Sequence, residues 1–255
     1  MLTAKSNWCF RWMKTLDHIR CVQSERELEK FIARLRAPQR PETLAFVNAH
    51  AMNCIAAMED FGAALWSASL VVRDGSGMSI LLKALNRKPG LNLNGTDLIP
   101  RIIARYDGQA IALLGTRDPW LGKAAATVRS ALAPSSRVTQ LDGFQPNPRY
   151  LAWARLHRPA LIVLGMGMPK QEQVAALLRE QLDYPCLIVC GGAIIDFLGD
   201  RITRAPQWMR SLGVEWAYRL MLEPRRLFER YVLGNPVFLL RALHFRRERY
   251  KWRSM

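Results

Sequence analysis

The stretch Leu161-Ile162-Val163-Leu164-Gly165-Met166-Gly167-Met168-Pro169-Lys170-Gln171-Glu172 decides the fold, together with the helix-length segment 171–182 and the run Leu187-Ile188-Val189 behind it. Four apolar residues with no polar alternation predict a strand buried on both faces. A glycine-rich turn, a helix and a second apolar strand then follow, which is the strand–helix–strand unit of a parallel sheet. Working outward, apolar runs recur at 44–47, 70–72 and 110–114, and Val138 to Leu141 is a further candidate strand, with helix-length segments at 51–66, 98–105 and 122–132. The fold class that follows is α/β, a parallel sheet with helices on both faces. Beyond Asp196 no further strand is predicted. Segments 208–221, 224–233 and 237–252 read as helices, separated by Pro224 and by the breaker Gly234-Asn235-Pro236.

Charge divides the 255 residues unevenly. The net charge is +16, yet residues 41–200 carry 15 Lys+Arg against 13 Asp+Glu, while 201–255 carry 13 against 4 and 1–40 carry 9 against 4. We therefore divide the chain into a basic N-terminal segment (1–40), an α/β catalytic domain (41–200) and a basic helical C-terminal appendage (201–255). The α/β body is expected to stay folded without the residues after about 200. Basic ends attract polyanions, whether nucleic acid, anionic lipid or phosphate-bearing substrates. No run of about 18 uncharged apolar residues is present, so no transmembrane helix is expected. Lys5, Arg11, Lys14 and Asp17 interrupt the start of the chain, which does not read as a secretory signal. Five cysteines, an odd number without zinc-ligand spacing, read as core thiols.

In open parallel sheets, ligands bind beyond the carboxyl ends of the strands. Asn48, the group Arg73-Asp74-Gly75-Ser76-Gly77, Gly115-Thr116, the run from Gly165 to Glu172 and Gly191-Gly192 all fall there. Asp74 is the candidate catalytic residue, a carboxylate able to take a proton from a substrate hydroxyl; the competing reading makes it a helix cap. Gly165-x-Gly167 lacks the third glycine of a dinucleotide loop, so an oxidoreductase is a weak alternative. In the tail, arginines interleave with Trp208, Trp216, Tyr218, Phe228 and Tyr231. Arg219, Arg226 and Arg230 are spaced by 7 and 4, which gives one helical side if a helix runs through Pro224. Such a group suits a diphosphate, and the aromatics suit a bilayer headgroup layer; the plain alternative is a solvated face over core aromatics.

In order and spacing these blocks resemble the WecG/TagA/CpsF family of bacterial glycosyltransferases (glycosyltransferase family twenty-six). The residues that carry the resemblance are Asn48, Asp74-Gly75, Gly95-Thr96-Asp97, Gly167-Met168-Pro169-Lys170-Gln171-Glu172, Gly192 to Asp196, Arg204-Ala205-Pro206, Gly213 to Arg219 and Glu223 to Arg226. The resemblance covers roughly residues 43–235. It implies a Rossmann-like fold and an inverting transferase in cell-surface polysaccharide synthesis. Such an enzyme moves a hexose or N-acetylhexosamine from a UDP-sugar to a sugar on undecaprenyl diphosphate. It further implies Asp74 as general base and Asn48, Asn94, Asp97, Gln171, Glu172, Arg219, Arg226 and Arg230 as substrate-binding residues. The appendage would close over the site at the cytoplasmic face of the inner membrane, against its anionic surface. There is no Asp-x-Asp motif, and neither a metal nor a cofactor is expected. Asn92 stands where many members have arginine, Phe46 where many have a small polar residue, and Glu229 where many have arginine, with Arg230 one step later. The donor stays open between UDP-glucose and UDP-N-acetylmannosamine, and His50 between sugar binding and a structural role. A homo-oligomer is compatible with the sequence. The alternative function is a basic nucleic-acid-binding protein without catalysis, which the near-neutral body disfavours.

Overall fold

A computed structural model describes residues 7–253. Lys5 of the basic N-terminal segment lies outside them. Seven strands form one sheet, each pairing in parallel with its neighbours: β1 (Ile19–Arg20), β2 (Glu42–Val47), β3 (Leu70–Arg73), β4 (Ala110–Gly115), β5 (Arg137–Leu141), β6 (Leu161–Gly165) and β7 (Leu187–Cys190). Their order is β1-β3-β2-β7-β6-β4-β5. The register sets Leu44 beside Leu70 and Leu161 beside Leu187, with Ile111 on the other side of Leu161.

Alternate side chains of each strand feed two cores, because successive residues point to opposite faces. On one face Val47, Val71, Leu114, Ile162, Leu164 and Ile188 pack under α1 (Asn7–His18), α3 (Ala49–Ala57), α4 (Glu59–Trp66), α5 (Gly75–Ala84), α8 (Asn147–His157) and α9 (Lys170–Gln181). On the other, Phe46, Val72, Leu113, Leu161, Val163 and Val189 pack under α2 (Glu25–Leu35), α6 (Gly95–Arg105), α7 (Trp120–Thr127) and α10 (Ile194–Leu198). This is the expected α/β architecture with both faces covered. The five cysteines are free, and all but Cys21 are buried.

The C-terminal region departs from expectation in three ways. Segment 208–221 is not one helix but α11 (Gln207–Ser211) and α12 (Glu215–Leu222), broken where Gly213 takes a φ of +71°. Arginines 219 and 226 do not share a continuous helix either: Glu223 (φ −132°, ψ 59°) separates α12 from α13 (Pro224–Phe228). The expected breaker Gly234-Asn235-Pro236 instead opens α14 (Gly234–Arg253), which follows a π-helical turn, Glu229–Leu233, without interruption. Proline is tolerated in a first helical turn, where its missing N–H has no partner to lose.

The body also does not stand apart from the tail. Phe238, Ala242 and Phe245 of α14 belong to the first core, and the Trp12 ring lies 5.6 Å from that of Phe238 and 5.7 Å from that of Phe245. Asn53 of α3 ties down the start of α14, donating from Nδ2 to Gly234 O (2.7 Å) and accepting from Arg241 Nη1 (2.9 Å). Residues 207–233 are different, with only Met209 and Leu227 buried among their large apolar side chains. They form a strap between two fixed ends, Arg204 ion-paired with Asp97 on one side and Asn53 holding Gly234 on the other.

Candidate active site

The carboxyl ends of β2, β3, β4, β6 and β7 open into a cleft of about 650 Å³, roofed by the strap. Of the residues singled out from sequence, Asp74, Asn48, Asn94, Gln171, Arg219, Arg226 and Arg230 all line it. Asp97 and Glu172 do not.

Asp74 sits at the N-cap position of α5, yet its side chain makes no capping bond. Its backbone N–H donates to Val47 O (2.8 Å), which fixes the turn, and Gly75 follows with φ +83°, a left-handed conformation that favours glycine. The carboxylate is left to the cleft, where Asn48 Nδ2 approaches Oδ2 at 3.5 Å. Asn48 is itself the cap of α3, accepting from Ala51 N–H through Oδ1 (3.0 Å), so its amide orientation is set. Burial pushes the Asp74 carboxyl above the usual range; the Asn48 contact and the charges of Arg230 and Arg219 oppose that rise without cancelling it.

Gln171 is held at both ends, accepting from Gly192 N–H (2.9 Å) and donating from Nε2 to Glu172 Oε1 (2.8 Å). Glu172 lies behind it, 1% exposed, with Oε2 unpartnered. Burial pushes its carboxyl up to about 7. Asn94 caps α6 through Asp97 N–H (2.9 Å) and donates to the Asp97 carboxylate (2.6 Å). Burial would raise the Asp97 carboxyl, but Arg204 and Asn94 hold it below the ordinary range. Asp97 thus joins the strap to the body.

The three arginines reach the cleft by a route their spacing did not predict. Arg226 is braced by the Glu223 carboxylate, with Nε at 2.9 Å. Arg219 lies over the Phe197 ring and Arg230 over Tyr231. The Nε of Arg219 and of Arg230 is buried with no acceptor. A π turn fits more residues into each turn than an α-helix, and within it Arg230 faces the cleft while Glu229 stays exposed and outside. His50 also lines the cleft, its Nε2 3.6 Å from Cys54 Sγ. Burial, helped by Arg230, lowers its pKa to about 4, so its ring is neutral near pH 7.

A second polar group at the cleft was only partly foreseen. Thr116 Oγ1 donates to Asp196 Oδ1 (2.6 Å), and Arg201 Nη1 reaches both (3.3 and 3.2 Å). Thr116 stood out at a strand end and Asp196 closed a motif; nothing in the local spacing pointed to Arg201. Gly165 has a packing reason rather than a cofactor one, since a Cβ there would lie 2.7 Å from Ile195 Cδ1.

Compared with known proteins, residues 15–252 match the family model described as Glycosyl transferase WecG/TagA/CpsF family.

Proposed function

Since the chain belongs to the WecG/TagA/CpsF family of glycosyltransferases, which serve cell-surface polysaccharide synthesis, we propose that it transfers a hexose or N-acetylhexosamine, with inversion, from a UDP-sugar to a sugar on polyprenyl diphosphate. The observation that carries this reading is Asp74, a carboxylate free of any capping bond, facing a cleft shared with Arg219, Arg226 and Arg230.

In this mechanism Asp74 takes the proton of the acceptor hydroxyl as its oxygen attacks the anomeric carbon. The bond from that carbon to the diphosphate oxygen breaks on the opposite face, and UDP leaves. A carboxyl raised by burial suits the task, because a base works best with a pKa nearer the working pH. The guanidinium groups of Arg219, Arg226 and Arg230, which line the cleft, suit a diphosphate as its charge develops. Asn48 aims the Asp74 carboxylate, and Gln171 and Asn94 line the donor side. Asp97 and Glu172 serve from behind the wall, Asp97 by pinning Arg204 and Glu172 by holding the Gln171 amide.

Exposed Trp208, Leu212, Met221, Phe228 and Leu240, set among arginines, support docking on an anionic bilayer at the cytoplasmic face. The division at 40 and 200 is kept for function only: the basic ends bind surface and phosphate, and the middle carries the base. Nucleic-acid binding draws no support from the family.

Asp74→Asn tests the assignment. It should fold as the wild type does and lose at least about 100-fold in kcat for transfer to a synthetic polyprenyl-diphosphate-sugar; an active variant removes Asp74 as the base.

A further inference from the structure

Arg73 is only 5% exposed, yet it carries a charge. Buried charges require partners, and those of Arg73 are carbonyl groups on both sides of the cleft's edge. Nε donates to Pro89 O (2.6 Å), Nη2 to Gly90 O (2.6 Å), and Nη1 to Gly75 O (3.2 Å) and to Asn92 Oδ1 (3.5 Å). The guanidinium therefore joins the end of β3 to the loop that leads into α6. That loop is pinned from behind as well, where Leu91 N–H donates to Val22 O (2.7 Å). A Cβ at Gly90 would stand 2.2 Å from the same oxygen, so only glycine fits.

Asn92 lines the cleft beside Asp74. Its Oδ1 accepts from Gly75 N–H (2.8 Å) as well as from Arg73. Turning the amide over would set its NH2 against two other donors, so the chemistry of its neighbours fixes which end is oxygen. The NH2 is then the end left to the cleft, and no group among the described residues accepts from it.

We propose that Asn92 binds the transferred sugar through its Nδ2 donor, and that Arg73 is a positioning residue that holds that amide in place. The inference rests on the transferase reading above and deepens it. An uncharged donor next to the base matches an uncharged oxygen, a hydroxyl or the acyl oxygen of an N-acetyl group, on the sugar whose anomeric carbon is attacked there. The diphosphate has its own cations across the cleft. Lysine does not reproduce Arg73, because its donors share one nitrogen while Arg73 meets four acceptors from three separated nitrogens.

The test uses the full chain with UDP-glucose and UDP-N-acetylmannosamine as donors and a synthetic polyprenyl-diphosphate-N-acetylglucosamine as acceptor. Asn92→Ala should lower kcat/KM for the accepted donor by roughly 5- to 50-fold and weaken equilibrium binding of that UDP-sugar while leaving binding of UDP alone unchanged. Asn92→Asp keeps the Gly75 and Arg73 contacts, so it should melt like the wild type and lose at least as much. Arg73→Lys should raise the KM for UDP-sugar more than it lowers kcat. Added to Asn92→Ala, it should cost no more than about twofold further, as expected for residues acting as one unit.

Asn92 variants within twofold of wild type, or an equal weakening of UDP alone, overturn the sugar contact. Full additivity of the two substitutions overturns the positioning role. A wild type that Asp74→Asn silences but Asn92→Ala does not touch defeats this inference alone; a wild type that transfers from neither donor defeats the transferase reading and this inference together.

Discussion

Asp74 begins α5 without capping it, and its carboxylate lines the cleft. From spacing alone a carboxylate at a strand end reads more readily as a helix cap than as a base, and the missing capping bond removes the main support for the cap. His50 and Glu172 were less legible, since what matters is their burial. They titrate in opposite senses. Glu172, raised to about 7 from 4.5, weakens the fold fully above pH 7, so stability rises as pH falls from 7 toward 4.5, a swing on the order of 3 kcal/mol. His50, lowered to about 4 from 6.5, must stay neutral in the fold, so stability falls as pH drops through 6.5 toward 4. The two slopes oppose each other where the windows overlap. As pH falls from about 6.5 to 5, Glu172→Gln should therefore lose stability relative to His50→Gln. Denaturant midpoints across that range check this; parallel curves for the two variants would contradict it. The raised carboxyl of Asp74 acts in the same direction as Glu172 and is common to both.

At the scale of elements, apolar runs announce β2, β3, β4, β6 and β7, because a strand buried on both faces leaves no other pattern; the edge strand β5 shows instead through its β-prone residues Val138 and Thr139. β1 has only two residues, too few for any period to appear. Helix α2 carries its own signals in the sequence: Ser24 accepts from Glu27 N–H, Glu27 accepts from Gln23 N–H, and Leu28, Phe31, Ile32 and Leu35 face the core. The π turn was not legible, since no residue type demands it. For α14 the sequence misled, because a Gly-Asn-Pro run reads equally as a stop or as a helix start. Truncation after residue 200 should consequently leave an aggregating or molten body, without a cooperative melt, because Trp12 and Met52 would lose their cover. Phe245→Ala, at a side chain 1% exposed, should destabilise the intact chain by about 3–5 kcal/mol, read from denaturant unfolding.

At the scale of the whole molecule, the uneven charge could be read directly, but its geometric meaning could not. Among the described residues no helix is long and apolar enough to cross a membrane; the bilayer docking proposed above rests on exposed side chains such as Trp208 and Leu212. Vesicles containing about 30% anionic lipid should bind the protein more strongly than neutral ones, and the excess should fade as salt rises from about 0.05 to 0.5 M. Replacing Trp208 and Leu212 together by alanine should weaken that binding several-fold in a sedimentation assay, with the melt unchanged. The strap is stitched to the body at three places: Arg204 to Asp97 before it, Ser76 Oγ donating to Gly213 O (3.2 Å) within it, and Asn53 holding Gly234 after it. Every stitch is polar, and only Met209 and Leu227 are buried along the way. Contacts of this kind part at far less cost than a packed core, so the roof of the cleft can lift while the sheet beneath it stays folded.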